Sequence, residues 1–152
     1  MMKKILTLVL LFCFVTSAAL CACAAENSEP LLDKALRVSE DGGDLIAMPE
    51  DDLIDIIGIE PEYYTDFAYL ASKDTSNGRE IIVVRAADEK AAKLVVELLE
   101  DYRENRIRCT RNYYAEAYRA LSESEVLQED LLIVLSIGAP DPREPDLLLQ
   151  EE

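Results

Sequence analysis

The chain has 152 residues, half of them apolar and 30% charged, a balance that suits one folded domain and excludes wholesale disorder. Acidic residues number 31 against 15 basic, and there is no histidine. That charge repels phosphate backbones, so nucleic acid is a poor partner, and the missing imidazole removes Ser-His-Asp and Cys-His hydrolysis together with the commonest metal ligand.

Residues 1–25 have the three parts of a secretory leader. Lys3-Lys4 form a basic start, Ile5 to Val15 an apolar core, and Ser17-Ala18-Ala19 begin a small-residue end. The apolar core is too short for a permanent span, which needs about twenty residues. Leu20-Cys21-Ala22-Cys23 resembles a bacterial lipobox, with Leu three places before Cys23 and Ala just before it, so Cys23 is the expected lipidation site. Cys21 in the middle is a departure from the pattern, and a plain cut after Ala24 or Ala25 is the alternative. With Lys3 and Lys4 removed, the mature chain carries 13 basic and 31 acidic residues, a net charge of −18. Only Cys109 then stands clear of the processing region, which rules out an intradomain disulfide or a cysteine-based zinc site.

Residues 26–44 read as an acidic tether with one short helical turn, ending in Asp41-Gly42-Gly43-Asp44. That tetrad lacks the spaced oxygen ligands of a calcium loop and reads as a turn. Residues 45–138 read as the folded domain. Pro49-Glu50-Asp51-Asp52 opens a short helix whose expected buried face is Leu53, Ile56 and Ile57, with Gly58 as its stop. Pro61 begins a second helical turn. Thr65 to Ser72 alternates Phe67, Tyr69 and Ala71 against Asp66, Ala68 and Leu70, the period of a strand. A loop ending in Asn77-Gly78 returns the chain into Arg79–Arg85, whose Ile81-Ile82-Val83-Val84 is a buried β-branched run.

From Asp88, a predicted N-cap, the spacing becomes helical. Ala91, Val95, Leu98 and Tyr102 form the inward stripe, Leu94 and Leu99 widen it, and Cys109 falls seven residues past Tyr102 as an expected buried residue. Arg103, Arg106, Arg108 and Arg111 crowd the far end of this helix. They suit the negative end of its dipole and the surrounding acids, and binding of an anionic ligand is the sharper reading of the same four residues. Tyr113 to Leu121 predicts a short helix whose tyrosines cover the sheet edge, an arrangement that also suits a sugar or peptide. Val126-Leu127 and Leu131 to Ile137 predict a closing hairpin, the second strand apolar on both faces. Residues 139–152 read as a proline-rich acidic tail.

Leu53 to Pro61 (LIDIIGIEP), the strand and helix from Glu80 to Tyr102, and the tyrosine-rich turn before the last hairpin resemble domain of unknown function 4358. The resemblance spans about Leu45 to Ile137. It implies a small exported protein, often lipid-anchored, of Gram-positive bacteria, and brings no catalytic residues. Ile57 stands where members tend to carry tyrosine, and Glu129-Asp130 where they tend to carry glycine.

The expected fold is α+β, an antiparallel sheet of about four strands in two hairpins with one long amphipathic helix on one face. The expected function is a non-enzymatic extracytoplasmic lipoprotein, a binding or accessory module at the cell envelope. Its expected partners are the membrane, through the lipid on Cys23, and an envelope protein or small ligand. The sequence specifies no cofactor and no metal site. A carboxylate-based envelope enzyme using Glu50 to Asp55 and the tyrosines, or a purely structural envelope protein, are the alternatives, and a polar cleft joining those two regions separates the first from a binding module.

Overall fold

The computed structural model describes residues 29–39 and 44–150, so the leader with Cys23 and the Asp41-Gly42-Gly43 stretch lie outside the described residues. Five strands form one antiparallel sheet in the order β1-β2-β3-β5-β4, with β1 at Leu45–Ala47, β2 at Tyr64–Ser72, β3 at Glu80–Ala86, β4 at Val126–Glu129 and β5 at Leu132–Ile137. The extra strand relative to the expected four is β1, three residues long and too short to carry a visible alternation.

β3 and β5 lie side by side at the centre, in register from Glu80 opposite Ile137 to Arg85 opposite Leu132. Alternate residues of each strand feed different cores. Ile82, Val84, Ile133, Leu135 and Ile137 pack beneath α3 (Glu89–Thr110), with Ala92, Val95, Leu99 and Tyr102 supplying the helix side. Ile81, Val83, Leu132 and Val134 face the opposite way and are equally buried. What covers them is α1 (Leu31–Val38), through Leu31 and Ala35, together with α5 (Glu144–Leu149), through Leu148.

The segments read from sequence as tether and tail thus carry a third layer. Asp66 of β2 fixes α1 by accepting from the Leu31 amide at 2.9 Å, at the end of the helix where a carboxylate is favoured. Lys34, nearly buried, donates to the Gln150 carbonyl just past α5.

Local chemistry explains most of the boundaries. Asp88 caps α3 by accepting from the Ala91 amide at 2.8 Å. Ahead of β2, α2 (Glu50–Asp52) runs into a π-helical turn, Leu53–Ile57, which ends at left-handed Gly58 (φ 86°). This wider winding keeps Leu53 and Ile57 inside and leaves Ile56 out, 52% exposed, against the sequence expectation. Asp130, at the β4–β5 turn, takes φ 50°. A glycine is unstrained there, and Asp is among the few other residues that tolerate the left-handed region.

Gly78 also has a left-handed backbone, and a Cβ built on it would meet the Ala117 Cβ at 2.8 Å and its Cα at 2.9 Å, on helix α4 (Ala115–Glu123). Gly58 has the same backbone hand but room for a methyl group, which would meet Leu98 Cδ2 in ordinary van der Waals contact at 3.7 Å. Urea denaturation should therefore show Gly58→Ala costing about 1–2 kcal/mol, the left-handed penalty alone. Gly78→Ala should lose about 1–3 kcal/mol more because α4 must be displaced. Equal losses would mean that α4 does not press on the loop.

Candidate functional site

Arg79 immediately precedes β3 and Glu80 opens it, and the two adjacent side chains project to opposite faces. On the α1–α5 face the Arg79 guanidinium makes a forked pair with Glu144, Nη1 to Oε1 at 3.0 Å and Nη2 to Oε2 at 2.5 Å. Ser136 Oγ donates to the same Glu144 Oε1 at 2.5 Å, and Arg79 Nη1 also reaches the Ile137 carbonyl at 3.2 Å. On the α3 face Glu80 accepts from Tyr102 at 2.6 Å and pairs with Arg106 at 2.6 Å. Arg106 also donates to the Tyr102 hydroxyl at 2.7 Å, with Tyr69 3.5 Å beyond.

Both clusters are buried and internally neutralised. Burial, with the Glu80 carboxylate next in weight, pushes the Tyr102 phenol far up, and the same two causes raise Tyr69. Sequence reading missed Arg79, Glu80 and Glu144. The one available signal was a charged pair set directly against the apolar run Ile81 to Val84.

The four arginines read as an anion site divide into two pairs. Arg106 is committed to Glu80, and Arg103 braces α3 against the end of α4 through Ser124 Oγ at 3.3 Å while pairing with Glu100 of its own helix at 3.5 Å. Arg108 and Arg111 lie on the outer side of α3, about 60° apart around its axis. Arg108 meets only Asn105 Oδ1 at 3.4 Å, and neither arginine pairs with a carboxylate among the described residues.

The chain then turns through Tyr113 and Tyr114, whose amides both donate to the Thr110 carbonyl, and enters α4. Tyr113 is 82% exposed and Tyr114 is 50% exposed, so they do not cover the sheet edge as expected. The buried residues of α4 are Ala117 and Leu121. Cys109 is exposed as well. The buried residues of α3 are Ala91, Ala92, Val95, Leu99, Tyr102 and Thr110, with Arg106 half-buried, so past Tyr102 the line continues through Arg106 to Thr110 and Cys109 lies outside it.

Three other regions carry polar groups at the surface. The carboxylates of Glu50 to Asp55 sit on an open surface, where Glu50 accepts from the Tyr64 hydroxyl. A cleft of about 640 Å³ between α1 and α5 is lined by Lys34, Arg37, Asp141, Arg143 and Glu144, and one of about 700 Å³ lies at the start of α3 beside Asp88, Lys93 and Gln128. Neither cleft joins the Glu50 to Asp55 carboxylates to the tyrosines. In the first, Arg37 pairs with Glu29 at 2.6 Å and Arg143 with Asp141 at 2.7 Å. Among the described residues no group of three or more histidine, cysteine, aspartate or glutamate side chains is placed to hold a metal ion, and no helix is long and apolar enough to cross a membrane.

The sequence model of the family described as domain of unknown function DUF4358 matches residues 40–138. No curated protein and no solved structure matches the chain. The match takes in all five strands and α3 but neither α1 nor α5.

The division of the arginines is measurable. Arg106→Gln should lower stability by about 3 kcal/mol or more, since it strands the buried Glu80 charge, whereas Arg108→Gln should stay within about 0.5 kcal/mol of wild type. Alkaline titration gives a second readout. Tyr102 and Tyr69 hold their protons in the fold beyond the free-phenol value of about 10, so the unfolded chain releases protons first and stability should fall as pH rises above about 10. A melting midpoint flat through that range would contradict the burial of this cluster.

Proposed function

The chain belongs to the domain of unknown function 4358 family, and we propose that it is a non-enzymatic, lipid-anchored extracytoplasmic protein serving as a binding or accessory module at the bacterial cell envelope. The observation that carries this reading is the leader, with its basic start, short apolar core and Leu20-Cys21-Ala22-Cys23. Cys23 is the lipidated residue. The lipid supplies the membrane attachment, because a body at −18 gains nothing from an anionic surface.

Seven residues separate Cys23 from the start of α1, which limits the stand-off to about 25 Å even at full extension. The folded body is held close to the bilayer. Two features support binding rather than catalysis. The buried charged groups at Arg79–Glu144 and Glu80–Arg106 are spent on each other, and the exposed Arg108, Arg111, Tyr113 and Tyr114 are of the residue types that anchor protein interfaces.

Expressed in a Gram-positive host, the wild-type chain should fractionate with membranes, and Cys23→Ala should enter the medium or remain uncleaved. Wild-type protein free in the medium and starting at Ala25 or Glu26 would replace anchoring with ordinary secretion.

A further inference from the structure

We infer that the partner of the Arg108–Arg111–Tyr113–Tyr114 tip is a second copy of this chain, which it engages head to tail at the acidic surface around Ile56. The inference rests on the binding reading above for the use of this surface.

The tip sets two cations that meet no carboxylate among the described residues beside two exposed rings. The chain has about two carboxylates for every cation, and Glu104 stands four residues before Arg108, the spacing at which helical ion pairs form. Arg108 nevertheless meets only Asn105, and Arg111 pairs with no carboxylate among the described residues. Beside these two charges stand Tyr113 and Tyr114, two large rings left in water. Tyrosine and arginine are enriched among interface anchors because a rigid ring buries much area at little entropic cost and a guanidinium forks onto carboxylates.

The complement is present on the same chain. Residues 38–72 contain no lysine or arginine. Within them half-exposed Ile56 shares its π-helical turn with exposed Asp55, exposed Asp51 stands in α2 just before, and exposed Glu60 and Glu62 follow. None of these four carboxylates pairs with a cation among the described residues. An apolar seat rimmed by carboxylates is the counterpart of rings rimmed by guanidinium groups.

The two surfaces are separate. Gly58, at the end of the Ile56 turn, faces Leu98, while the tip begins past Thr110, about 18 Å further along α3. A surface and its complement at different places on one molecule make a heterologous contact, which closes into a ring or propagates as a chain. Repulsion between two acidic bodies is screened beyond about 8 Å at physiological salt, and attachment to one membrane raises the effective concentration of copies.

The test uses two full-length copies with different C-terminal tags, expressed together and recovered from mild detergent through one tag. Wild-type copies should be recovered together, and less so as salt is raised. Arg108→Glu with Arg111→Glu in both copies should reduce recovery of the second tag at least tenfold, and Tyr113→Ser in both should reduce it without changing charge. Adding Asp51→Arg and Asp55→Arg to one of the reversed copies should restore recovery, because its patch now accepts the other copy's acidic tip. Melting midpoints within a few degrees of wild type confirm that each variant folds. Wild-type copies that do not come down together, pairing indifferent to the reversal, or a loss the arginine patch fails to restore would each overturn the inference. Membrane fractionation of the same cells keeps the two readings apart. Unpaired copies on membranes sink the docking alone, and paired copies in the medium sink the anchoring alone.

Discussion

Burial of β3 and β5 on both faces is the constraint from which the rest of this architecture follows. Their alternating side chains are apolar in both directions, so a single helix layer would leave Ile81, Val83, Leu132 and Val134 in water. Each such side chain is worth about 1.5–3 kcal/mol when fully buried. The long helix α3 satisfies one face. The other requires α1 and α5, two short helices from opposite ends of the described chain, neither long enough to be stable in isolation.

Joining three layers around a thin central sheet also demands that polar groups at the layer boundaries be matched. The entry into β3 does this twice in consecutive residues, with Arg79 turned toward Glu144 and Ser136, and Glu80 toward Arg106 and Tyr102. A buried ion pair adds little net stability over an apolar one of the same shape. Breaking it leaves a charge without solvent, so the pairs fix where α5 and α3 sit rather than how strongly the core holds. The charges left over are outside, and they are unevenly placed: carboxylates around Ile56, guanidinium groups and tyrosines at the far end of α3.

Much of this was legible in the residues. The β-branched run at Ile81 to Val84 marked a central strand, the alternation through Phe67 and Tyr69 marked its partner, and Asp88 marked the first turn of α3, all by local chemistry. Family membership was also legible, and the matched residues contain the hairpins and the helix that carry the resemblance. The misses share a cause, which is that the deciding partner lies far away in sequence. Leu31 and Ala35 show a buried face only once the second side of β3 exists to receive them. Glu144 is an ordinary acid among prolines until Arg79 is placed beside it. At the candidate site, four clustered arginines gave no sign that two would be consumed by Glu80, Glu100 and Ser124. Cys109 and Ile56 were misplaced because past Tyr102 the buried line of α3 passes through Arg106 to Thr110, and because the π turn winds more widely than the simple helix expected there.

The central claim is that α1 and α5 belong to the folding unit, although the family match stops at residue 138. Equilibrium urea denaturation of a chain spanning residues 40–138, set against one spanning residues 29–150, tests it directly. The account predicts that the shorter chain, with its α1–α5 face bare, shows no cooperative transition or a midpoint close to zero denaturant. A shorter chain that unfolds cooperatively at the midpoint of the longer one would contradict the three-layer account.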